Sequence, residues 1–212
     1  MLPEAVEGMA LAATTDLRGQ EILPEALGIV AKATDLRPYA RLLDDWLGAG
    51  ARRIDRDQDG RYDDEGAIAL MDAWWTPLVR AMFDPQLDGL YDVVGVGFHD
   101  APTSHLGSAF QSGYYGTVKK ALRQARGRKV KAKYRELRCG GGKPKACFAA
   151  VQASLREAVA TLADRFGSSD PTAWRVNPVD DEIRFSLGGL AAAAPIPWQN
   201  RPTFQQVVQI RD

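Results

Sequence analysis

The stretch from Ile196 to Ile210, IPWQNRPTFQQVVQI, constrains the chain most, because it reads as a strand with no visible sheet to join. Phe204, Val208 and Ile210 fall on one face at a spacing of two, with Gln206 the exception. Gln205 and Gln209 fall on the other, with Val207 between them. Pro195, Pro197 and Pro202 punctuate the approach, so the run is extended rather than helical. A strand needs a neighbour for its backbone groups. Upstream, only Ile183, Phe185 and Leu187 alternate like a second short strand, ended by Gly188-Gly189.

The rest of the pattern is helical. Ile22, Leu23, Ala26, Leu27 and Val30 make one stripe; Tyr39, Leu42, Leu43, Trp46 and Leu47 make a second, starting after Pro38 and ending at Gly48. A third runs from about Asp64 to Phe83, with Ile68, Met71, Trp74, Trp75, Leu78 and Met82 facing a core. Pro77 is expected to kink it or end it early. A fourth begins near His105 or Gly113 and includes Val118 and Leu122. A fifth runs from about Ala146 to Phe166 on Phe148, Val151, Leu155, Val159 and Leu162. Phe83-Asp84-Pro85, Asp88-Gly89 and Gly95-Val96-Gly97 read as loop punctuation; the last lacks the third glycine and Lys-Ser/Thr of a phosphate loop. The expected fold class is α+β: residues 1–166 mainly helical, 167–212 strands and loops.

Asp55, Asp57, Asp59, the Arg61 carbonyl and Asp63 occupy positions 1, 3, 5, 7 and 9 of a calcium loop, with Gly60 at the turn position 6. Alternating carboxylates wrap oxygens around one point, as Ca²⁺ requires; without a cation they repel one another. The departure is at position 12, where Gly66 stands instead of a bidentate Glu, leaving Glu65 or Asp64 as possible substitutes. The competing role is a solvated acidic turn capping the next helix.

Charge is uneven. Lys119 to Lys145 holds twelve of the 27 basic residues and one acid, Glu136, although the chain is neutral overall. Such a block suits a nucleic-acid patch or a basic segment lying on an acidic neighbour; no nucleic-acid reader motif accompanies it, which favours the second. Cys139 and Cys147 bracket a Gly/Pro-rich turn, placed either to close a small disulfide ring in an oxidising compartment or to remain free thiols. His99 with Asp100 and Ser104 is a poor triad, because triads assemble from distant segments. His99 and His105 lack a third zinc ligand. Trp74-Trp75 reads as core, and Asn200-Arg201 as a hydrogen-bonded corner before the last strand. No apolar run of about eighteen residues suggests a membrane span, and the N-terminus lacks the features of a signal peptide.

Three segments carry a resemblance. Trp198 with Asn200-Arg201-Pro202-Thr203-Phe204-Gln205-Gln206-Val207-Val208 is similar to the C-terminal part of penicillin acylases and the related acyl-homoserine-lactone and lipopeptide acylases. His105-Leu106-Gly107-Ser108-Ala109-Phe110-Gln111-Ser112-Gly113-Tyr114-Tyr115-Gly116 and Ala69-Leu70-Met71-Asp72-Ala73-Trp74-Trp75 look like segments of the same β-chain. The likeness covers about Thr15 to Ile210. It implies part of an αββα N-terminal-nucleophile hydrolase, in which a β-chain N-terminal Ser attacks a linear amide and its own α-amino group is the base. It also implies a periplasmic or secreted enzyme, which supports the disulfide, and a small-molecule amide substrate. No catalytic residue transfers. Met1 and Leu2 open the chain, and the earliest hydroxyl or thiol side chain is Thr14. The expectation is therefore a C-terminal portion of the β-chain, inactive alone, whose partner is the α-chain and the start of the β-chain. The alternative is a non-enzymatic calcium-binding helical interaction module. The family's familiar calcium site is built elsewhere, so the resemblance does not bear on the Asp55–Asp63 loop.

Overall fold

A computed structural model describes residues 2–87, 114–131, 137, 139–182, 194–195 and 197–198. Six α-helices are described: α1 Leu2–Ala13, α2 Leu23–Val30, α3 Arg37–Gly48, α4 Glu65–Leu87, α5 Tyr114–Ala125 and α6 Pro144–Phe166. The described residues contain no strand; their only bridge is the antiparallel pair Thr15 and Arg52. Both expected strands, at 183–187 and 196–210, lie outside the described residues, apart from the strandless pair 197–198. So do His99, His105, Asp88-Gly89, Gly95-Val96-Gly97 and Asn200-Arg201. The mostly helical body stands; the β component of the α+β reading falls on undescribed residues.

The five periodic stripes become helices for the expected reasons, the fourth over Tyr114–Ala125. Pro24, Pro38 and Pro144 sit in the first turns of α2, α3 and α6, where a missing N–H costs no intrahelical bond. Gly167 ends α6 in the left-handed conformation at φ 68°. The first stripe splits: Ile22 closes a π-helical turn, Arg18–Ile22, and α2 starts at Leu23. Helix α1 had no counterpart among the stripes; its residues from Pro3 to Ala12 are almost all exposed, including Val6 at 53%.

Two expectations at α4 are corrected. Pro77 neither ends the helix nor shortens it, and Phe83-Asp84-Pro85 lies within the helix rather than in a loop. An interior proline removes one i→i−4 bond and costs roughly 3 kcal/mol. Around it, Ile68, Leu70, Met71, Trp74, Leu78 and Met82 are fully buried. At about 1.5–3 kcal/mol for each large side chain buried, tertiary packing outweighs the local defect.

Helices α4 and α6 form the most extensive helix–helix contact, with α2 and α3 packed beside them. Trp46, Trp74 and Trp174 are wholly enclosed, and each indole N–H is satisfied: Trp46 donates to the Arg52 carbonyl, Trp74 to Ser154 Oγ and Trp174 to the Ser168 carbonyl, all at 2.9 Å. Trp74 and Trp75 are core residues, as expected. Cys139 and Cys147 form a disulfide between the turn Cys139–Gly142 and the first turns of α6. No described helix is long and apolar enough to cross a membrane.

Candidate functional site

Two carboxylate clusters stand out, one in the loop that leads into α4 and one that includes Asp72 of α4 itself. The outer one is the acidic loop between α3 and α4. Ligand oxygens of Asp55, Asp57 and Asp63 all lie within 4.8 Å of one another. Asp55 accepts from the Gly60 N–H at 2.9 Å and the Asp59 N–H at 3.2 Å, winding the chain around its carboxylate. Gly60 takes φ +85°, the sharp turn expected of it. Asp59 does not join the cluster as an oxygen donor: its carboxylate accepts from the Arg61 N–H at 2.8 Å. Arg56 pairs with Asp63 through a 2.5 Å contact and supplies a cation from within the loop. The donors that do converge are all carboxylate oxygens, which fits a hard cation such as Ca²⁺.

Of the two position-12 substitutes, Glu65 is engaged elsewhere. Glu65 is turned inward, accepting from the Val176 N–H at 2.9 Å and pairing with Arg61 and Arg175. Gly66 packs against the turn Pro171–Ala173: a Cβ there would meet the Pro171 carbonyl oxygen at 2.7 Å. A glutamate at position 12 does not fit this backbone, so the departure from the calcium-loop pattern has a packing cause.

The inner cluster was not read from the sequence. Arg53, with a fully buried side chain, donates to Asp16 at 3.2 Å, to Asp181 at 2.7 Å and, at short range, to Asp72. Arg18 donates to Asp16 at 2.5 Å and to Asp72 at 2.6 Å. Tyr62 donates its hydroxyl to Asp181 at 2.9 Å. Trp198 lies over the Arg53 guanidinium at 5.1 Å, so one residue of the closing segment reaches this network. Burial works to raise the Asp16 carboxyl, but the Arg18 and Arg53 charges and hydrogen bonds outweigh it and hold it at about 2. Asp181 moves the other way: burial pushes it up, and Arg53 only partly offsets this. Burial also raises Tyr62 far above the usual phenol range, so it is a hydrogen-bond donor at any ordinary pH. The sequence signal was faint: Arg52-Arg53 adjoins the acidic loop, and Asp72 sits in an otherwise apolar stretch of α4.

The basic block has an acidic neighbour. Lys119 pairs with Glu21, and Arg123, Arg126 and Arg128 converge on Glu25, whose side chain is 3% exposed. These four cations are committed inside the molecule, which leaves less charge for a polyanion than composition alone implies.

The arrangement is thus a helical body with buried ion pairs and an oxygen-lined loop, and no nucleophile with a base has been identified among the described residues. Residues 4–208 match the family described as penicillin amidase, and the chain belongs to that family. No match is found among curated proteins.

Proposed function

We propose that this chain is a helical, non-catalytic portion of an acylase-like hydrolase of linear amides, the acyl side chains of β-lactams, acyl-homoserine lactones or lipopeptides. The match to the penicillin amidase family over residues 4–208 carries this reading. The nucleophile is an N-terminal Ser outside these 212 residues, and the family's other chain segments are the partner. The ion network then holds the helices that flank the cleft. A periplasmic or secreted setting is supported by the Cys139–Cys147 disulfide. In the test, the purified chain is offered a chromogenic phenylacetyl amide, alone and after co-production with an α-chain and β-chain start of the family. Turnover only in the second case is expected. Turnover by the chain alone overturns the non-catalytic role.

A second reading rests on the converging oxygens of Asp55, Asp57 and Asp63. We propose that the loop binds Ca²⁺ through these carboxylates, with Asp59 and the Arg61 carbonyl completing the shell once Asp59 turns inward. The ion would clip α3 to α4 rather than enter chemistry. If the chain were instead a free-standing calcium-binding interaction module, it would be a compact monomer whose melting temperature rises with Ca²⁺ and it would not associate with the family's other segments. Size-exclusion chromatography with and without those segments separates the two.

A further inference from the structure

A cavity of about 390 Å³ opens between α4, α6 and the segment Val176–Asp181. That volume falls within the roughly 300–1,000 Å³ usual for small-molecule sites. It is graded by charge and depth. Its floor carries Asp72 and Asp181, whose side chains are 13% and 7% exposed. Its wall is apolar, with Ala73, Leu162 and Val176. Its rim carries the exposed Arg165, Arg175 and Asp180.

Among the described residues, carboxylates outnumber guanidinium groups at the floor. The inner network has three carboxylates, Asp16, Asp72 and Asp181, against two guanidinium groups, Arg18 and Arg53. Both donors to Asp181 bond the same oxygen, Oδ2, and both donors to Asp72 bond Oδ1. No described residue donates to Asp181 Oδ1 or Asp72 Oδ2. A part-buried carboxylate that keeps an oxygen without a described donor, beside a cavity, favours a cationic donor from outside. At the rim, Arg175 is occupied, donating to the Thr172 and Trp174 carbonyls at 2.7 and 2.8 Å and lying 3.7 Å from Glu65. Arg165 has no described carboxylate partner; its guanidinium rests over the Phe166 ring at 5.1 Å. The Arg165 head is therefore available to an anion.

We propose that this cavity binds a small zwitterion of the amino-acid class, with its ammonium on Asp72 and Asp181, its apolar body on Leu162 and Val176, and its carboxylate at Arg165. The site is independent of the amide-hydrolase reading and of the calcium loop. Calorimetric titration of the full chain with L-phenylalanine, phenethylamine and 3-phenylpropionate tests it, since the last two each lack one charged group. Saturable binding of phenylalanine is expected, about tenfold weaker binding of phenethylamine, and no saturation with phenylpropionate. Arg165→Ala lies at an exposed position and leaves folding intact; it should weaken phenylalanine about tenfold and leave phenethylamine unchanged. Asp181→Asn should weaken both amines about tenfold. Phenylpropionate binding as tightly as phenylalanine, an Arg165→Ala variant with unchanged phenylalanine affinity, or no saturation by phenylalanine into the tens of millimolar would each overturn the proposal. If Asp181→Asn fails to fold, the Arg165 variant and the three-ligand series still decide it.

Discussion

The outer and inner clusters each gather three aspartates, yet they solve the same electrostatic problem in different ways. Asp16 and Asp181 are buried and Asp72 is part-buried, and they carry Arg18 and Arg53 as built-in counter-ions. Asp55, Asp57 and Asp63 sit nearer the surface, where water screens them, and among the described residues Arg56 is the guanidinium paired with them. Carboxylates removed from water must bring cations from the same chain, because desolvation costs several kcal/mol per ion. Carboxylates left in water can wait for a soluble ion. The first arrangement takes most of its counter-charge from the chain on folding; the second leaves its carboxylates open to the medium.

The largest expected effect breaks the inner cluster. Arg53→Met removes a residue that touches all three carboxylates and should cost about 3–5 kcal/mol in chemical denaturation, since it strands buried charge. A loss below about 1 kcal/mol would mean the network contributes little. Next comes the outer cluster's response to ion. At a Ca²⁺ concentration one hundred times the dissociation constant, stabilisation should be about 2.7 kcal/mol, read as a rise in melting temperature that Mg²⁺ does not reproduce and Asp57→Asn abolishes.

Acid provides a third, smaller contrast. Asp16 is held at about 2, below its ordinary 3.8, so its contribution is present above pH 3.8 and is lost as pH falls through 2. The linked loss is about 2 kcal/mol, and Asp16→Asn should flatten that limb of a stability–pH curve. Asp181, whose value is raised, works oppositely: it favours the fold at low pH and loses that contribution as pH rises through its folded value. The smallest effect sharpens the outer cluster. Arg56→Ala should change stability without calcium by no more than about 0.5 kcal/mol, because the pair is exposed. It should nevertheless tighten calcium binding in a titration, because Arg56 competes for Asp63.

The outer cluster was legible in the sequence because its ligands are neighbours at fixed spacing. Asp55, Asp57 and Asp63 declare themselves in nine residues. The inner cluster is written at positions 16, 18, 53, 72 and 181, and no local pattern unites them. The helices were readable for the same reason: Leu43 and Trp46, or Val151 and Leu155, lie one turn apart. Readings failed where distant packing overrode a local rule. Pro77 stays inside α4 because buried neighbours on both sides hold the helix. Glu65, a candidate ligand by position, is drawn inward by the Val176 N–H, 111 residues away. Asp59 was assigned from spacing; its carboxylate lies outside the converging oxygens and accepts from the Arg61 N–H of its own turn.

Arg53 also bears on the order of folding. Its bond to Asp181 spans 128 residues, and its bond to Asp16 spans 37. Contacts that close such long loops require the chain entropy to be given up first, so they form late. The Arg53 junction should be absent from the folding transition state and should act as a latch on the finished molecule. Arg53→Met is then expected to steepen escape from the native state while leaving the refolding rate nearly unchanged. Stopped-flow measurement of both limbs checks this, and an equal slowing of refolding would place the junction in the nucleus instead. Wherever unfolding is followed by an irreversible step, a slow exit from the native state matters more than a fast entry.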